Sequence, residues 1–141
     1  MIKKIMRFAC QPGCTKCCTR RGWVYLTESD LIRTAEYLGV TPAAFEAEHI
    51  VRYRRVLRLR KPARGQDNCR FLKADGCSIH AVKPTQCRTY PFWPSIVANH
   101  GRWNLEGIFC PGIGKGKLVQ ITAAREIAKE MPRAYPSLSE F

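Results

Sequence analysis

The cysteines constrain what this chain can fold into more than any other feature. Four of the eight fall within nine residues, in the stretch CQPGCTKCC at residues 10–18, and the others are widely spaced further along. The first residues, MIKKIMRFAC, lack the apolar run of a secretory signal, so we expect a cytoplasmic protein. Because thiols stay reduced in that compartment, dense cysteines predict metal ligation or catalysis rather than a disulfide framework.

Short spacings between cysteines let one loop direct several sulfurs at one metal ion. Cys10, Cys14 and Cys17 have such spacings, whereas Cys17 and Cys18 are adjacent. Adjacent side chains in extended backbone point to opposite sides, so we expect these two to serve different sites or opposite sides of one larger cluster. Two sets of four are the simplest division, although the sequence does not show which cysteines group together. All eight are predicted metal ligands: Cys10, Cys14, Cys17, Cys18, Cys69, Cys77, Cys87 and Cys110.

Length and composition predict one globular domain. The chain has 141 residues, of which 45% are hydrophobic and 25% charged, and no repeat or low-complexity linker divides it. We therefore predict a single cysteine-cluster metal-binding domain over residues 1–141. No apolar run approaches the roughly 20 residues that a bilayer span requires, so no membrane partner is expected.

Local signals predict both helices and strands. Residues 27–39 are expected to form a helix that Thr27 caps and Gly39 ends, and a second helix follows from Pro42. The remaining predicted elements are a strand near residues 56–59, a hairpin at 68–80 turning at 73–76, a second hairpin at 95–109 turning near 99–101, and a helix at about 118–131. Together they predict an α+β fold: a small single domain with two N-terminal helices, short hairpins and a C-terminal helix, organised around cysteine metal sites.

Four segments carry a resemblance to a known family. FACQPGCTKCC, WVYLTESDL, CRFLKADGCSIHAVKPTQCRTYPFWP and CPGIGKG, taken in this order, resemble the CxxCxxCC cysteine-cluster family, also called YkgJ-type zinc- or iron-chelating domains. The resemblance implies zinc or iron as the bound metal. One branch includes flagellin lysine methylases, for which an iron–sulfur cluster is implied. That branch is longer than this chain, and no segment here resembles an S-adenosylmethionine site.

The segment around Cys87 suggests neighbours for the metal site. Tyr90 and Trp93 could shield thiolates from solvent, or could equally be ordinary core. Arg88 could donate charge-assisted hydrogen bonds to a sulfur or a carboxylate. His80 stands where the resemblance implies that the family often has tyrosine, so a structural histidine is expected there rather than a ligand.

Ligand type alone does not separate zinc from iron, because both accept four thiolates. The sequence lacks the paired Cys-x2-Cys motifs of a zinc ribbon, and Cys110 is followed by proline, as at the end of ferredoxin motifs. We therefore favour an iron–sulfur cluster, of the 4Fe-4S type, with zinc as the alternative. The predicted role is electron transfer, metal handling or structural support.

A basic segment suggests a second kind of partner. The formal net charge is +13, and two four-thiolate centres would lower it only to about +9. The surplus favours an acidic protein or nucleic acid as partner, although a solvated arginine-rich surface is the more common explanation. Seven residues within 52–64 would contact phosphate: Arg52, Arg54, Arg55, Arg58, Arg60, Lys61 and Arg64.

The third hypothesis is an enzyme that modifies a protein or small molecule, which the resemblance would relate to the flagellin lysine methylases. The sequence contains no catalytic constellation that supports it. If one cysteine is not a ligand, Cys18 is the expected reactive thiol. Its basic neighbours Lys16, Arg20 and Arg21 would favour the thiolate. The oligomeric state is not indicated by the sequence.

Overall fold

A computed structural model of the chain describes residues 5–12, 14–19, 23–61, 69–74 and 76–138. Helices and small sheets occur together in these ranges, so the predicted α+β class is confirmed. The backbone forms two compact units. We call Met1–Lys16 with Thr89–Phe141 the terminal unit, and Cys17–Arg88 the central unit. The single domain over residues 1–141 stays a prediction.

Both predicted N-terminal helices belong to the central unit. Helix α1, Glu28–Leu38, begins at a capping box in which the Thr27 hydroxyl accepts from the Asp30 N–H and the Asp30 carboxylate accepts from the Thr27 N–H. It ends at Gly39, whose φ of 73° is readily adopted only by a residue without Cβ. Helix α2, Pro42–His49, follows directly. The local cap signals were therefore sufficient to locate both helices.

A three-stranded antiparallel sheet lies beside these helices. Its strands are β2, Tyr25–Leu26, β3, Ile50–Tyr53, and β4, Val56–Leu59, in the order β2-β4-β3. The basic segment thus forms most of a hairpin, where only one strand was predicted, because Arg54 adopts the left-handed turn conformation at φ 57°. One face of the sheet contributes Leu26, Ile50, Leu57 and Leu59 to the buried core.

The rest of the central unit carries the later cysteines. Strands β5, Leu72–Lys73, and β6, Gly76–Cys77, pair antiparallel, which confirms the predicted hairpin. A 3₁₀ helix at His80–Val82 leads to helix α3, Thr85–Thr89. Another 3₁₀ helix, Lys16–Thr19, carries Cys17 and Cys18.

The terminal unit joins the two ends of the chain through paired strands. Strand β1, Arg7–Phe8, pairs antiparallel with β7, Lys117–Leu118. Helices α4, His100–Glu106, α5, Ile121–Ala128, and α6, Glu130–Ala134, complete the unit. The rings of Phe8, Phe92 and Trp103 contact one another at centroid distances of 5.3 to 6.5 Å and form its aromatic core.

Two sequence predictions in the terminal unit are wrong. The hairpin predicted at residues 95–109 is absent and helix α4 lies within that range, because the Asn99 side chain accepts from the Arg102 N–H at 2.9 Å and caps a helix that buries Trp103. The last helix, predicted as one element ending before Pro132, is two short helices. Pro132 lies in the first turn of α6, where a missing N–H costs no intrahelical hydrogen bond.

Candidate metal centre

Five of the eight cysteines line one cavity in the central unit. The cavity has about 20 Å³ of free space, which is enough for about one water molecule. Its thiols come from four separate segments of the chain, and no carboxylate or imidazole lies among the residues described around it. The lining cysteines are Cys17, Cys18, Cys69, Cys77 and Cys87, and the other lining residues are Val24, Leu59, Ile79, Lys83 and Pro84.

The backbone conformation explains why two adjacent cysteines reach the same cavity. Cys17 and Cys18 lie in a 3₁₀ helix, not in the extended backbone assumed for them. Neighbouring side chains on a helix are not directed to opposite sides. The Cys18 carbonyl also accepts from the Cys69 N–H at 2.7 Å, which ties the two segments together. The reason for assigning Cys17 and Cys18 to separate sites is thereby removed.

The Cys18 thiol lies within hydrogen-bonding reach of both Cys17 and Cys77. Donation from its thiol lowers the pKa of Cys17 to about 6 and that of Cys77 to about 6, and the positive charge of Lys83 helps to lower both. The pKa of Cys18 is raised, first by these bonds to Cys17 and Cys77 and then by burial. A raised pKa opposes the thiolate form of Cys18, and its role as a reactive thiol stays a prediction. Arg20 and Arg21, the basic neighbours invoked for it, lie outside the described residues.

Backbone N–H groups are directed at several of the sulfurs. Burial raises the pKa of Cys69, and the Phe71 N–H opposes this rise by donating to its sulfur. The Ile79 N–H donates in the same way to Cys77, two residues before it. Such bonds stabilise the thiolate form in which cysteine binds metals. Cys87 lacks this support, and burial is the main reason that its pKa is raised.

The other three cysteines belong to the terminal unit and differ in exposure. Cys10 is exposed, Cys14 is half-buried and Cys110 is buried. Burial raises the pKa of Cys110, N–H groups of Gly112 and Ile113 oppose the rise, and the nearby Cys14 adds to it. Cys14 and Cys110 are therefore electrostatic neighbours.

A glycine allows the segment before Cys10 to approach the segment after Cys110. The Ala9 N–H donates to the Gly112 carbonyl at 3.1 Å. A Cβ on Gly112 would lie only 2.5 Å from the Ala9 carbonyl oxygen, closer than non-bonded atoms can approach. The Cys-Pro-Gly sequence after residue 109 therefore has a steric role in this unit.

The predicted neighbours of the metal site occupy different places. Arg88 is exposed and is not among the described residues that line the cavity. Tyr90 and Trp93 belong to the terminal unit, where their rings contact edge to face at 5.1 Å and Tyr90 donates to the Glu106 carboxylate. Trp93 is buried there, as an ordinary core residue would be.

Lys83 is a candidate site residue that the sequence interpretation missed. It lines the cavity and is the cation whose charge favours the thiolates of Cys17 and Cys77. Its position four residues before Cys87 was the available signal. His80 is exposed and lies outside the described lining of the cavity.

The thiols share a cavity without converging on one point. Four sulfurs bound tetrahedrally to zinc at about 2.3 Å would lie about 3.8 Å apart. Across the described ranges, no three Cys, His, Asp or Glu side chains are grouped so that one metal ion could bind all of them.

The basic residues of segment 52–64 make different contacts in the structure. Arg52 forms ion pairs with Glu28 at 2.7 Å and Glu46 at 2.8 Å, whereas Arg58 packs on the Trp23 ring. Arg64 lies outside the described residues. The other members of the predicted set are exposed: Arg54, Arg55, Arg60 and Lys61.

In the part of the chain that the structure describes, no helix combines the length and apolarity needed to cross a membrane.

Comparisons with known proteins agree with the cysteine pattern. A family model described as "CxxCxxCC: Putative zinc- or iron-chelating domain" matches residues 9–111. An uncharacterized protein of Methanocaldococcus jannaschii is 27% identical over 136 residues, which cover 84% of this chain and 42% of that protein. The chain thus spans less than half the length of this curated relative, and no solved structure matches it. Because the family model covers most of the chain and includes every cysteine, the chain belongs to the CxxCxxCC family of zinc- or iron-chelating domains.

Proposed function

We propose that the central unit binds an iron–sulfur cluster at its cysteine cavity and that four of the five thiols there are the ligands. The observation that carries this proposal is the meeting of five thiols from four segments at one cavity. Soft thiolate donors without carboxylate or imidazole are the ligand set of zinc and of iron–sulfur clusters. The chemistry of the residues present therefore fits such a centre.

The sequence favours the cluster over a single zinc ion, because it lacks the paired Cys-x2-Cys motifs of a zinc ribbon. Sulfurs that surround a cluster of several atoms need not converge on one point, and the arrangement of the described thiols is compatible with this. The free space is small, so a cluster requires the side chains to move outward from their described positions. When bound, a 4Fe-4S cluster supplies one-electron redox chemistry.

We assign the ligand role to Cys17, Cys69, Cys77 and Cys87. Cys18 is the fifth thiol, and its distinguishing feature is that its S–H lies within hydrogen-bonding reach of both Cys17 and Cys77. A donor beside two thiolates stabilises their charge and tunes a cluster without binding iron. Lys83 adds a positive charge at the same wall.

The apolar side chains at the cavity have a separate role. Val24, Leu59 and Ile79 limit the access of water to the thiolates. A centre enclosed in this way contributes to the stability of the fold and can carry electrons. Delivery of metal to another protein is a less suitable role for an enclosed centre, because it would require the metal to dissociate readily.

Cysteine variants prepared without oxygen test the assignment. Cys69→Ser and Cys87→Ser should lose most of the bound iron and acid-labile sulfide, because each removes a ligand. Cys18→Ser should keep them, since the single O–H of serine can still donate to Cys17 or to Cys77. Cys10→Ser is the matched control in the terminal unit and should retain a full complement in the central site.

Loss of the cluster in Cys18→Ser but not in Cys69→Ser would overturn the ligand assignment. Retention of iron and sulfide in all central-unit variants would overturn the site itself. About one zinc ion per chain, lost in the same ligand variants, would overturn the choice of iron.

A further inference from the structure

We propose that the central unit also binds single-stranded nucleic acid, on the face of the sheet β2-β4-β3 opposite to its buried core. Arg58 pairs with Tyr25 on one side and Val51 on the other, so it lies on the face that does not carry Leu57 and Leu59. Five side chains define what we call the cation–aromatic surface: Trp23, Tyr53, Arg54, Arg58 and Lys61.

Cations and rings alternate along this surface. The Arg58 guanidinium lies 4.1 Å from the centroid of Trp23 and 4.8 Å from that of Tyr53. Lys61 lies 5.1 Å from the Trp23 ring, and Arg54 lies 5.3 Å from the Tyr53 ring. All four distances are within the roughly 6 Å over which a cation and a ring attract each other. The order is therefore Lys61, Trp23, Arg58, Tyr53 and Arg54.

This arrangement holds Arg58 in place before any partner arrives. A free arginine side chain loses much rotamer entropy when it is fixed in a complex, and a guanidinium already packed between two rings loses less. The Nε of Arg58 is buried and has no hydrogen-bond partner in the described part of the chain. The side chain is therefore held by its ring contacts rather than by a hydrogen bond from Nε.

The charges of Arg54 and Arg58 are not neutralised as that of Arg52 is. Arg52 lies on the same hairpin and is held by the carboxylates of Glu28 and Glu46. No ion pair is formed by Arg54 or Arg58 with the residues that the structure describes. The same hairpin therefore contains one arginine committed to folding and others available to an anionic partner.

The rings decide which anionic partner fits best. Trp23 and Tyr53 remain 36% and 50% exposed. An acidic peptide could use the cations alone, whereas single-stranded nucleic acid uses both kinds of side chain. Its phosphates contact arginine and lysine, and its unpaired bases stack on aromatic rings and guanidinium planes. A duplex keeps its bases stacked within the helix and would leave the rings unused.

The proposal can be tested by fluorescence anisotropy. The metal-loaded protein is titrated into labelled oligonucleotides of mixed sequence, each about twelve nucleotides long. Single-stranded RNA and DNA should both bind, and the affinity should fall with salt by a log–log slope of about −0.7 for each phosphate contact. Arg58→Ala and Trp23→Ala should each weaken binding about tenfold, while Trp23→Phe should retain most of it. Circular dichroism checks that every variant is folded.

Two variants of equal charge change serve as controls. Arg52→Ala removes a cation that is already paired, and Lys129→Ala removes one that lies in the terminal unit beside Glu126. Both should bind within twofold of the original chain. Arg58→Lys and Trp23→Phe are the variants chosen to preserve the fold. The proposal is wrong if Arg58→Ala and Trp23→Ala bind with unchanged affinity.

Competitors separate the classes of partner. An acidic peptide such as polyglutamate should displace the labelled strand poorly at equal charge concentration, and a duplex should also compete weakly. Displacement by polyglutamate as effective as that by an unlabelled strand would overturn nucleic acid in favour of an acidic protein. Preferential duplex binding would overturn the stacking argument. Neither result depends on which metal the cavity binds.

Discussion

The two units hold their cysteines in different ways. In the central unit five thiols line one cavity, with Lys83 beside them and backbone donors directed at Cys69 and Cys77. In the terminal unit three thiols range from exposed Cys10 to buried Cys110. The first set has the number, enclosure and compensating charge that a four-thiolate centre requires, and the second has one thiol too few among the described residues of its unit.

This difference shows that cysteine density along a chain does not define a site. The stretch at residues 10–18 is the densest in the sequence, yet its four cysteines are divided equally between the units. Cys17 and Cys18 join thiols that are distant in sequence, because a 3₁₀ helix and the bond from the Cys69 N–H bring the segments together.

Removal of the metal should have the largest effect, and it should be unequal between the units. Structural thiolate centres contribute on the order of 10 kcal/mol to folding. We expect chelation or oxidative loss of the cluster to abolish slow hydrogen exchange in α1 and the β2-β4-β3 sheet, while α5 stays protected. Hydrogen exchange followed by mass spectrometry measures both regions in one sample. Equal loss of protection in both units would contradict the contrast.

A steric change in the terminal unit should destabilise that unit and leave the metal site of the central unit intact. Gly112→Ala places a Cβ against the Ala9 carbonyl oxygen and should destabilise that unit by about 2 kcal/mol, while the iron content remains unchanged. Gly114→Ala is a matched control, because its added Cβ meets no atom within 4 Å and only its positive φ causes strain. We expect about half the effect there. Thermal unfolding measures the stability of each variant, and metal analysis measures its iron content. Loss of iron in Gly112→Ala would contradict the contrast between the units.

Removal of the cavity cation should weaken the centre without destroying it. Lys83→Met should lower metal affinity about tenfold, because outer partners of ligands contribute on this scale. It should also make the cluster harder to reduce, since a nearby positive charge stabilises the added electron. Lys73→Met removes an exposed cation on β5 and should change neither quantity. Chelator competition and redox titration measure the two effects, and equal changes in both variants would show that Lys83 has no special place.

The smallest effect concerns His49, a half-buried residue that packs against the core of the central unit. Its ring lies 4.8 Å from that of Phe45 and 5.0 Å from that of Phe71, and its buried Nδ1 has no partner among the described residues. Burial lowers the pKa of His49, and Arg70 adds to the decrease. The unfolded chain therefore binds the proton more readily, so stability present above the model-peptide pKa of about 6.5 is lost as the pH falls through the lowered pKa.

His49→Phe removes this dependence. The variant should gain less than about 1 kcal/mol over the original chain at pH 5, and less still at pH 8. Urea unfolding at the two pH values measures the difference. A gain that is larger at pH 8 would contradict the protonation argument.

Local signals in the sequence were sufficient for much of the fold. The cap at Thr27 and the stop at Gly39 define α1 from adjacent residues alone. The hairpin predicted to turn at residues 99–101 was wrong, because asparagine and glycine so close together are common in turns, whereas the burial of Trp103 that favours a helix is a tertiary effect.

The candidate site was less accessible to sequence reasoning. Cysteine spacing indicated metal binding and family membership, but the grouping depends on contacts between distant segments, such as Cys18 with Cys77. The same holds for Arg52, whose partner Glu28 lies 24 residues away. A count of basic residues cannot distinguish a paired arginine from an available one.

The central claim is tested most directly on protein that has been purified without oxygen. Its visible spectrum is recorded, and the content of iron, zinc and acid-labile sulfide per chain is measured. We expect a brown protein with about four iron and four sulfide per chain, the content of one 4Fe-4S cluster in the central unit. A folded protein that carries neither iron nor zinc would contradict the claim.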